Sequence, residues 1–552
     1  MLRAKLKNLH TEALDKAQKT GKLPPVILPE ITIERPQNEE HGDYACNLPF
    51  KLARVARANP MSIAKELITL LPPSEEIESA VAAPPGFINF KLKNDWVCQQ
   101  VDRVLKEGET YGNNQMGTGK KVQVEFVSAN PTGPLHVGAG RGAILGSTLA
   151  NVLTASGYEV EKEYYFNDAG NQMDIFKRSL YARYLQCLGV KTEVPENGYQ
   201  GNYMIDIAKD ILAQYSDKFQ RLGETEAIKQ LGDIGISKVR EKIKEDLKQL
   251  RVEYDMWFRE QSLYENGQYD KVMQILRKSG YLAEKEGATW FVSTSLGEDK
   301  DNVVVRSNGA PTYFATDIAY HYNKFIERHF DIVIDIWGAD HQGHVPRMKA
   351  VVAALGIDPE QLQIIIHQMV TLRRGGELVR VSKRTGDLIT LEEVMDEVGV
   401  DACRFFFMAR SASSQMDFDL ELAKKQSQEN PVYYVQYAHA RIASIMRLVE
   451  ERGINYTDGD TSLLTTEPEL VLIRKLLHFP ELIEMIAITL EPHHLAYYAQ
   501  ELATAFHAFY KDCRVVSEDE ALTKARIKLV LASKTVLAKT LHVMGMNAPD
   551  RM

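Results

Sequence analysis

The stretch that most constrains how this chain can fold runs from Lys121 to Thr154, KKVQVEFVSANPTGPLHVGAGRGAILGSTLANVLT. Val122, Val124 and Phe126 alternate with Gln123 and Glu125, a period of two that predicts a strand buried on one face. Asn130-Pro131-Thr132-Gly133-Pro134 supplies turn chemistry, after which Ile144, Leu145, Leu149, Val152 and Leu153 recur at helical spacing. The unit is strand, loop, helix, with His136, Gly138 and Gly140 where the helix begins. Unpaired N–H groups and the positive end of the helix dipole meet there, which suits a phosphate. The two glycines leave room for a ligand to approach the backbone, and the histidine can donate to a phosphoryl oxygen. Taken alone, such a loop also serves simply to close a sheet.

HVGAGRG fits neither the GxGxxG dinucleotide pattern nor the GxxxxGK[ST] phosphate loop. It resembles the HIGH motif of the class I aminoacyl-tRNA synthetases. Far downstream, RVSKRTG from Arg380 to Gly386 resembles that family's second motif, KMSKS, in the expected order. Size and composition agree. A chain of 552 residues allows about three or four domains, and 44% hydrophobic with 26% charged residues is the balance of a soluble globular protein. The net charge of −9 excludes a global basic field, so any nucleic-acid site must be a local basic surface. Five widely spaced cysteines without a CxxC argue against structural zinc or a disulfide framework and fit a reducing cytosol. No run approaches the roughly 18 apolar residues of a membrane span. The basic N-terminus contains Glu12 and Asp15, and Leu2, Leu6, Leu9, Ala13 and Ala17 trace one face, which predicts an ordinary first helix rather than a transit peptide.

In chain order, residues 1–112 read as a small α+β unit, with helices after HGDYAC and a strand in PPGFINFKL. Lys51, Arg54, Arg57 and Lys65 on this unit could touch a polyanion, although charges alone favour a solvated helix face. Residues 113–420 read as an α/β domain. After Gly157 a strand spans Tyr158 to Phe166, and charged helices fill about 190–290. Strand-like runs return at Asn302–Arg306, Asp331–Trp337 and Leu362–Val370, which predicts a parallel sheet split by an insertion, with ligands outside its carboxyl ends. From about 421 to 552 the chain reads as helices. Ile527, Val530, Leu537, Leu541 and Met544 mark an apolar stripe ringed by Lys524, Arg526, Lys528, Lys534 and Lys539. A packed bundle explains this pattern, and Tyr433, Tyr434, Tyr437 and His439 among basic residues also suit RNA stacking.

Longer phrases extend the resemblance to one family, the arginyl-tRNA synthetases. HGDYACNLPFKLA and PGFINFKL are similar to its N-terminal domain. VEFVSANPTGPLHVG, EYYFNDAGNQ, YQGNY, YFATDIAYH and WGADHQGH are similar to its catalytic domain, and PVYYVQYAHARI with MNAPDRM to its DALR-type anticodon-binding domain. The resemblance implies a Rossmann-like catalytic domain between a small α+β N-terminal domain that contacts tRNA and an all-α C-terminal bundle. It also implies ATP, carrying Mg²⁺, as a substrate, L-arginine and tRNA(Arg) as partners, no zinc and no membrane, and a monomeric cytoplasmic enzyme.

Carried over residue by residue, the motifs give His136, Lys383 and Arg384 catalytic roles on the phosphates. Gly138, Gly140, Asp340, His341, Val381, Ser382 and Lys383 join His136 around ATP. Glu125 and Asp317 become partners of the guanidinium, a planar fork of donors that calls for carboxylates, and Tyr313 shapes their pocket. Ser128, Asn130, His136 and Gln342 complete the arginine site, and Tyr434, Tyr437 and Met552 face tRNA. Without the resemblance, Glu125 reads as a solvent-facing strand residue beside Gln123. Asp340, His341 and His344 superficially suggest a metal site but lack a third strong ligand set. Two departures stand out: Ala139 replaces the second histidine of HIGH, and Arg380 and Val381 stand for the first Lys and Met of KMSKS. Ala139 keeps a synthetase-derived tRNA-binding or regulatory protein in play, and the histidine loop alone would also serve another adenylate-forming nucleotidyltransferase, which explains neither the RVSKR loop nor the helical C-terminus.

Overall fold

The computed structural model describes residues 2–36, 38–168, 170–379 and 389–552. The strand Lys121–Phe126 is buried on both faces rather than one: Gln123 is wholly enclosed and Glu125 is 7% exposed. Its position explains why. It is the middle strand of a five-stranded sheet, flanked by Ile332–Gly338 and Glu159–Phe166 and completed by Leu362–His367 and Met256–Arg259 at the edges, with every pairing parallel. Counted along the chain, the spatial order is 3-2-1-4-5. The winding therefore reverses between Lys121–Phe126 and Ile332–Gly338, and a doubly wound sheet opens its ligand crevice at that point.

Crossover connections put helices on both sheet faces, which is why even the polar residues of the central strand are covered. On one face lies the helix Val137–Ala155, with Ile144, Leu145, Leu149, Val152 and Leu153 all buried as their spacing predicts. It approaches closely because Gly146 has no side chain; a Cβ there would lie 2.2 Å from Phe126 Cγ. Gly157, at φ +84°, turns the chain into Glu159–Phe166. On the other face lies Tyr313–Tyr322, which continues into a π-helical turn, Asn323–Glu327.

Three expectations change. The Asn302–Arg306 run forms a strand at Asn302–Val305, but in a separate antiparallel sheet with Leu282–Lys285 and Ala288–Phe291. Within 190–290 the helices Asn202–Tyr215 and Glu224–Gln249 form, yet Met256–Arg259 is the fifth strand of the parallel sheet, too short for periodicity to reveal. The strand begun at Leu362 ends at His367. Val370–Arg374 starts a new hairpin with Glu377–Val379 and pairs with Met416–Asp419 in a separate small sheet.

The first helix, Leu2–Lys19, buries Leu6, Leu9, Ala13 and Ala17 along the predicted face. It accompanies a four-stranded sheet that includes the expected strand Phe87–Leu92. Four long helices, Pro431–Glu451, Glu467–Thr489, His494–Asp512 and Glu520–Val543, form the C-terminal bundle and bury the stripe from Ile527 to Met544. Glu481 of the bundle, 4% exposed, pairs with Arg35 at 2.8 Å and Arg3 at 3.2 Å and accepts from Tyr44, tying the bundle to the N-terminal unit. Among the described residues no helix is long and apolar enough to cross a membrane.

Because Gly146 is the point where helix meets strand, Gly146→Ala forces Phe126 from its place. The expected cost is about 1–3 kcal/mol of stability, read as a lower urea midpoint, and an unchanged midpoint would contradict the close approach.

Candidate active site

The central strand stops at Phe126, and the next two residues take backbone angles that side chains resist: Val127 has φ +71° and Ser128 φ +41°. Such strain marks a site held by its surroundings. Here Ser128 Oγ donates to Glu125 Oε1 at 2.8 Å and accepts the Tyr165 N–H at 3.1 Å, so the tight turn hooks the strand end to its neighbour. Asn130 donates to Gln172 at 2.6 Å.

His136 caps the helix Val137–Ala155, its Nδ1 accepting the Gly138 N–H at 3.0 Å. Burial pushes its pKa down, opposed by the charge of nearby Asp340. A neutral ring with Nδ1 accepting carries its proton on Nε2, which is thereby the donor. Gly138 makes room for this imidazole, since a Cβ would lie 2.8 Å from His136 Cε1. Gly140 differs from its expected role: its missing side chain is filled by Leu391, whose Cδ1 lies 2.6 Å from a Cβ position, rather than being open to a ligand. Ala139 places no polar group on the helix turn beyond His136.

Thr390 and Leu391 pack against the first motif. Thr390 forms an antiparallel bridge with His136, and the Leu391 N–H donates to Leu135 O at 2.8 Å. Thr390 also heads the helix Leu391–Val398 in a reciprocal capping box with Glu393. Val381, Ser382, Lys383 and Arg384 lie outside the described residues.

At the neighbouring strand end, Asp340, His341 and Gln342 sit exposed on the short turn Ala339–His344, with His341 and Asp340 3.4 Å apart. His367, ending the next strand, is lowered to a pKa of about 4 by burial, then by the charge of Arg141, and it also senses Asp340 and His136. Three strand ends thus converge on one polar crevice. Among the described residues no group of three or more His, Cys, Asp or Glu is placed to hold a metal ion.

Glu125 is neither solvent-facing nor free. Lys324 Nζ, wholly buried, donates to Glu125 Oε2 at 2.6 Å and to Asp335 Oδ1 at 2.8 Å. Asp317 lies one turn beyond Tyr313 on the same helix face; burial raises its pKa to about 6, with His321 and Arg347 opposing the rise and Glu125 and Asp335 adding to it. No hydrogen bond or ion pair to its carboxylate occurs among the described residues. Tyr313 is 54% exposed. Glu260 is raised to about 7, chiefly by burial and further by Asp317, while it accepts from Tyr165 at 2.8 Å. The surroundings are therefore acidic and aromatic: Lys324 serves Glu125 and Asp335, while Asp317 and Glu260 have no ion pair among the described residues. Sequence reasoning missed Lys324, Asp335, Tyr165 and Glu260. The charge inside the apolar run IVIDIW was a usable signal for Asp335, and nothing pointed to the other three.

In the C-terminal bundle, Tyr434 and Tyr437 pack beside His507, with ring centroids 4.8 and 6.0 Å away, and Tyr437 stacks on Tyr433 at 5.9 Å. Met552 lines a cleft with Tyr433, Arg251, Lys424 and Lys425. Lys524, Arg526, Lys528 and Lys534 are engaged in ion pairs with Asp458, Glu469, Asp102 and Asp550.

A 3-2-1-4-5 sheet with a histidine-capped helix at its switch point is the catalytic fold of a class I aminoacyl-tRNA synthetase, and residues 100–419 match the family of class I (R) tRNA synthetase catalytic domains. Residues 4–92 match the arginyl tRNA synthetase N-terminal domain and residues 435–552 the DALR anticodon-binding domain. The arginine–tRNA ligase of Dehalococcoides mccartyi strain BAV1 is 58% identical over 98% of this chain and 97% of its own length. That of Carboxydothermus hydrogenoformans is 53% identical over 94% of each. The solved Thermus thermophilus arginyl-tRNA synthetase superposes with a TM-score of 0.80 over 100% of both chains at 23% identity, a likeness of fold. The chain belongs to the arginyl-tRNA synthetases, the arginine–tRNA ligases.

Thr390→Val removes the capping oxygen beside His136. Stability is expected to fall by about 1 kcal/mol, measured by denaturant unfolding; an equal midpoint would show that the cap contributes nothing.

Proposed function

We propose that this enzyme joins L-arginine to tRNA(Arg) in two transfers at the crevice between Lys121–Phe126 and Ile332–Gly338. The arginine carboxylate attacks the α-phosphorus of ATP, forming arginyl-adenylate and releasing pyrophosphate. A hydroxyl of the terminal tRNA adenosine then attacks the arginyl carbonyl, and AMP leaves. No residue forms a covalent bond to substrate, so the protein's part is positioning and charge stabilisation. The observation that supports this reading is the closeness of Glu125 and Asp317, with Tyr165 and Tyr320 beside Glu125, on the sheet whose central strand runs into the His136 turn.

In this reading His136 Nε2 donates to the phosphates, and Lys383 and Arg384 meet the charge on the β- and γ-phosphates. The bridge between His136 and Thr390 supports that assignment, since Thr390 lies seven residues after Lys383, within ~25 Å of extended chain. Asp340 and His341 flank adenosine, and Ser128, Asn130 and Gln342 hold the amino-acid end. Mg²⁺ enters as part of the ATP substrate, with phosphate and water as most of its ligands. Tyr434, Tyr437 and Met552 contact tRNA, and the enzyme acts as a cytoplasmic monomer. Neither alternative reading draws support from the relatives.

With total tRNA and each amino acid supplied separately, arginine alone is expected to be transferred; efficient transfer of another would overturn the reading. Lys383→Ala should slow charging roughly 10²-fold with little loss of tRNA binding, and equal charging rates contradict its role. Asp317, raised to about 6, is mostly protonated below that pH and then offers no counter-charge. The KM for arginine is therefore expected to rise as pH falls through 6, and Asp317→Asn should abolish that dependence. A KM flat between pH 5 and 8 in the parent enzyme counts against Asp317.

A further inference from the structure

The floor of the arginine pocket carries a feature the transfer reaction does not account for. Parallel register sets Asp335, Glu125 and Glu163 side by side on three adjacent strands, facing the same side of the sheet. Adjacent strands are only about 4.8 Å apart, and all three side chains are buried. Above this row runs the helix Tyr313–Tyr322, where the backbone widens into a π-turn at Asn323–Glu327. An inserted residue of this kind re-aims the side chains around it and is frequent at functional sites. Here the turn carries Lys324, wholly buried, whose ammonium bonds Glu125 at 2.6 Å and Asp335 at 2.8 Å. Four residues on, Arg328 serves Glu163 and Glu161 in the same way.

We infer that Lys324 is a positioning residue for arginine recognition: bridging Asp335 and Glu125, it holds the Glu125 carboxylate ionised and fixed in the orientation that receives the guanidinium. The inference rests on the reading of Glu125 as a guanidinium partner. Lys324 occupies Oε2 and Ser128 occupies Oε1, so the carboxylate cannot rotate, and its remaining lone pairs are presented in one plane. A planar fork of donors requires that.

Burial raises the pKa of Glu125; Lys324 is the largest influence against that rise and the Ser128 hydroxyl a smaller one, and the other titratable groups facing Glu125 make its charge harder to keep. Asp335 comes from the adjacent strand, Asp317 and Tyr320 from the helix above, Tyr165 from the strand on the other side and Tyr254 from the segment before Met256–Arg259. None of these is a cation. Lys324 is the ammonium in bonding distance among the described residues, and its position 4.2 Å from the Tyr320 ring centroid fixes it from the far side. Asp335 is in turn shared with His321 Nε2 at 2.9 Å, which leaves Lys324 directed toward Glu125.

The test compares arginine, ATP and tRNA dependence of charging by the full-length enzyme from pH 6 to 9. Lys324→Met should raise the KM for arginine roughly 30-fold near pH 7, with the KM for ATP within threefold. The defect should shrink as pH rises, because Glu125 deprived of its ammonium ionises only at higher pH. Lys324→Met/Asp335→Asn removes the lysine together with its neighbouring carboxylate, and carries the test if the single variant does not fold. It should show the same alkaline recovery with a smaller defect, and Lys324→Arg should recover part of the loss. In a folded variant, a KM for arginine within threefold of the parent, or one raised equally at every pH, overturns the inference. Glu125→Gln separates the two claims. If it raises the KM for arginine while the lysine variants do not, the inference alone fails; if it too leaves the KM unchanged, the reading of Glu125 fails first.

Discussion

The structure depends on a row of carboxylates that could not be buried alone. Asp335, Glu125 and Glu163 occupy matching positions on the three middle strands of a parallel sheet whose faces are covered by helices. Removing one such charge from water costs several kcal/mol even after relaxation, and like neighbours add to that cost. The row persists because one helical segment delivers two cations four residues apart, Lys324 over the first pair and Arg328 over the last. The direction of the effect is visible in Asp335, whose pKa falls to about 2 despite burial, with Lys324 the largest opposing influence. An acidic floor at the sheet's switch point is thereby compatible with a stable core, and Asp317 beside it has no ion pair among the described residues.

The second organising contact joins Thr390 and Leu391 to the first motif. His136 is at once the cap of the motif helix and the bridge partner of Thr390, and Leu391 fills the hollow left by Gly140. A helix-capping histidine and a glycine that makes room for Leu391 thus fix the same junction. Val379 ends the hairpin of one small sheet, and Thr390 bridges to His136.

Across the rest of the chain, basic residues that look available for RNA are largely committed. Arg526 pairs with buried Glu469 and also donates to Arg514 O at 2.9 Å, while Arg404 spends its guanidinium on Met544 O, Leu250 O and Ser147. Counting lysines and arginines on a helix face therefore overstates the cationic surface of the bundle. The same holds at the cleft beside Met552, where Arg251 pairs with Asp401, Lys424 with Glu397 and Lys425 with Glu429.

Local chemistry was legible in the amino-acid order wherever a short window contains its own cause. The strand, turn and helix from Lys121 to Thr154, the face of the first helix and the helical nature of the C-terminus all follow from spacing, because one element's periodicity needs no knowledge of its neighbours. The motif residues were legible as a family resemblance, which located Glu125 and Asp317 without explaining how either is held. The two-sided burial of the central strand, the edge strand Met256–Arg259 and the packing use of Gly140 became visible only in three dimensions. So did the partnership of Lys324 with residues 199 and 11 positions away. Sequence by itself determined which elements form and what chemistry they carry; the tertiary structure decided which charges share a buried space, because the cost of burying a charge depends on neighbours that only the packed sheet brings together.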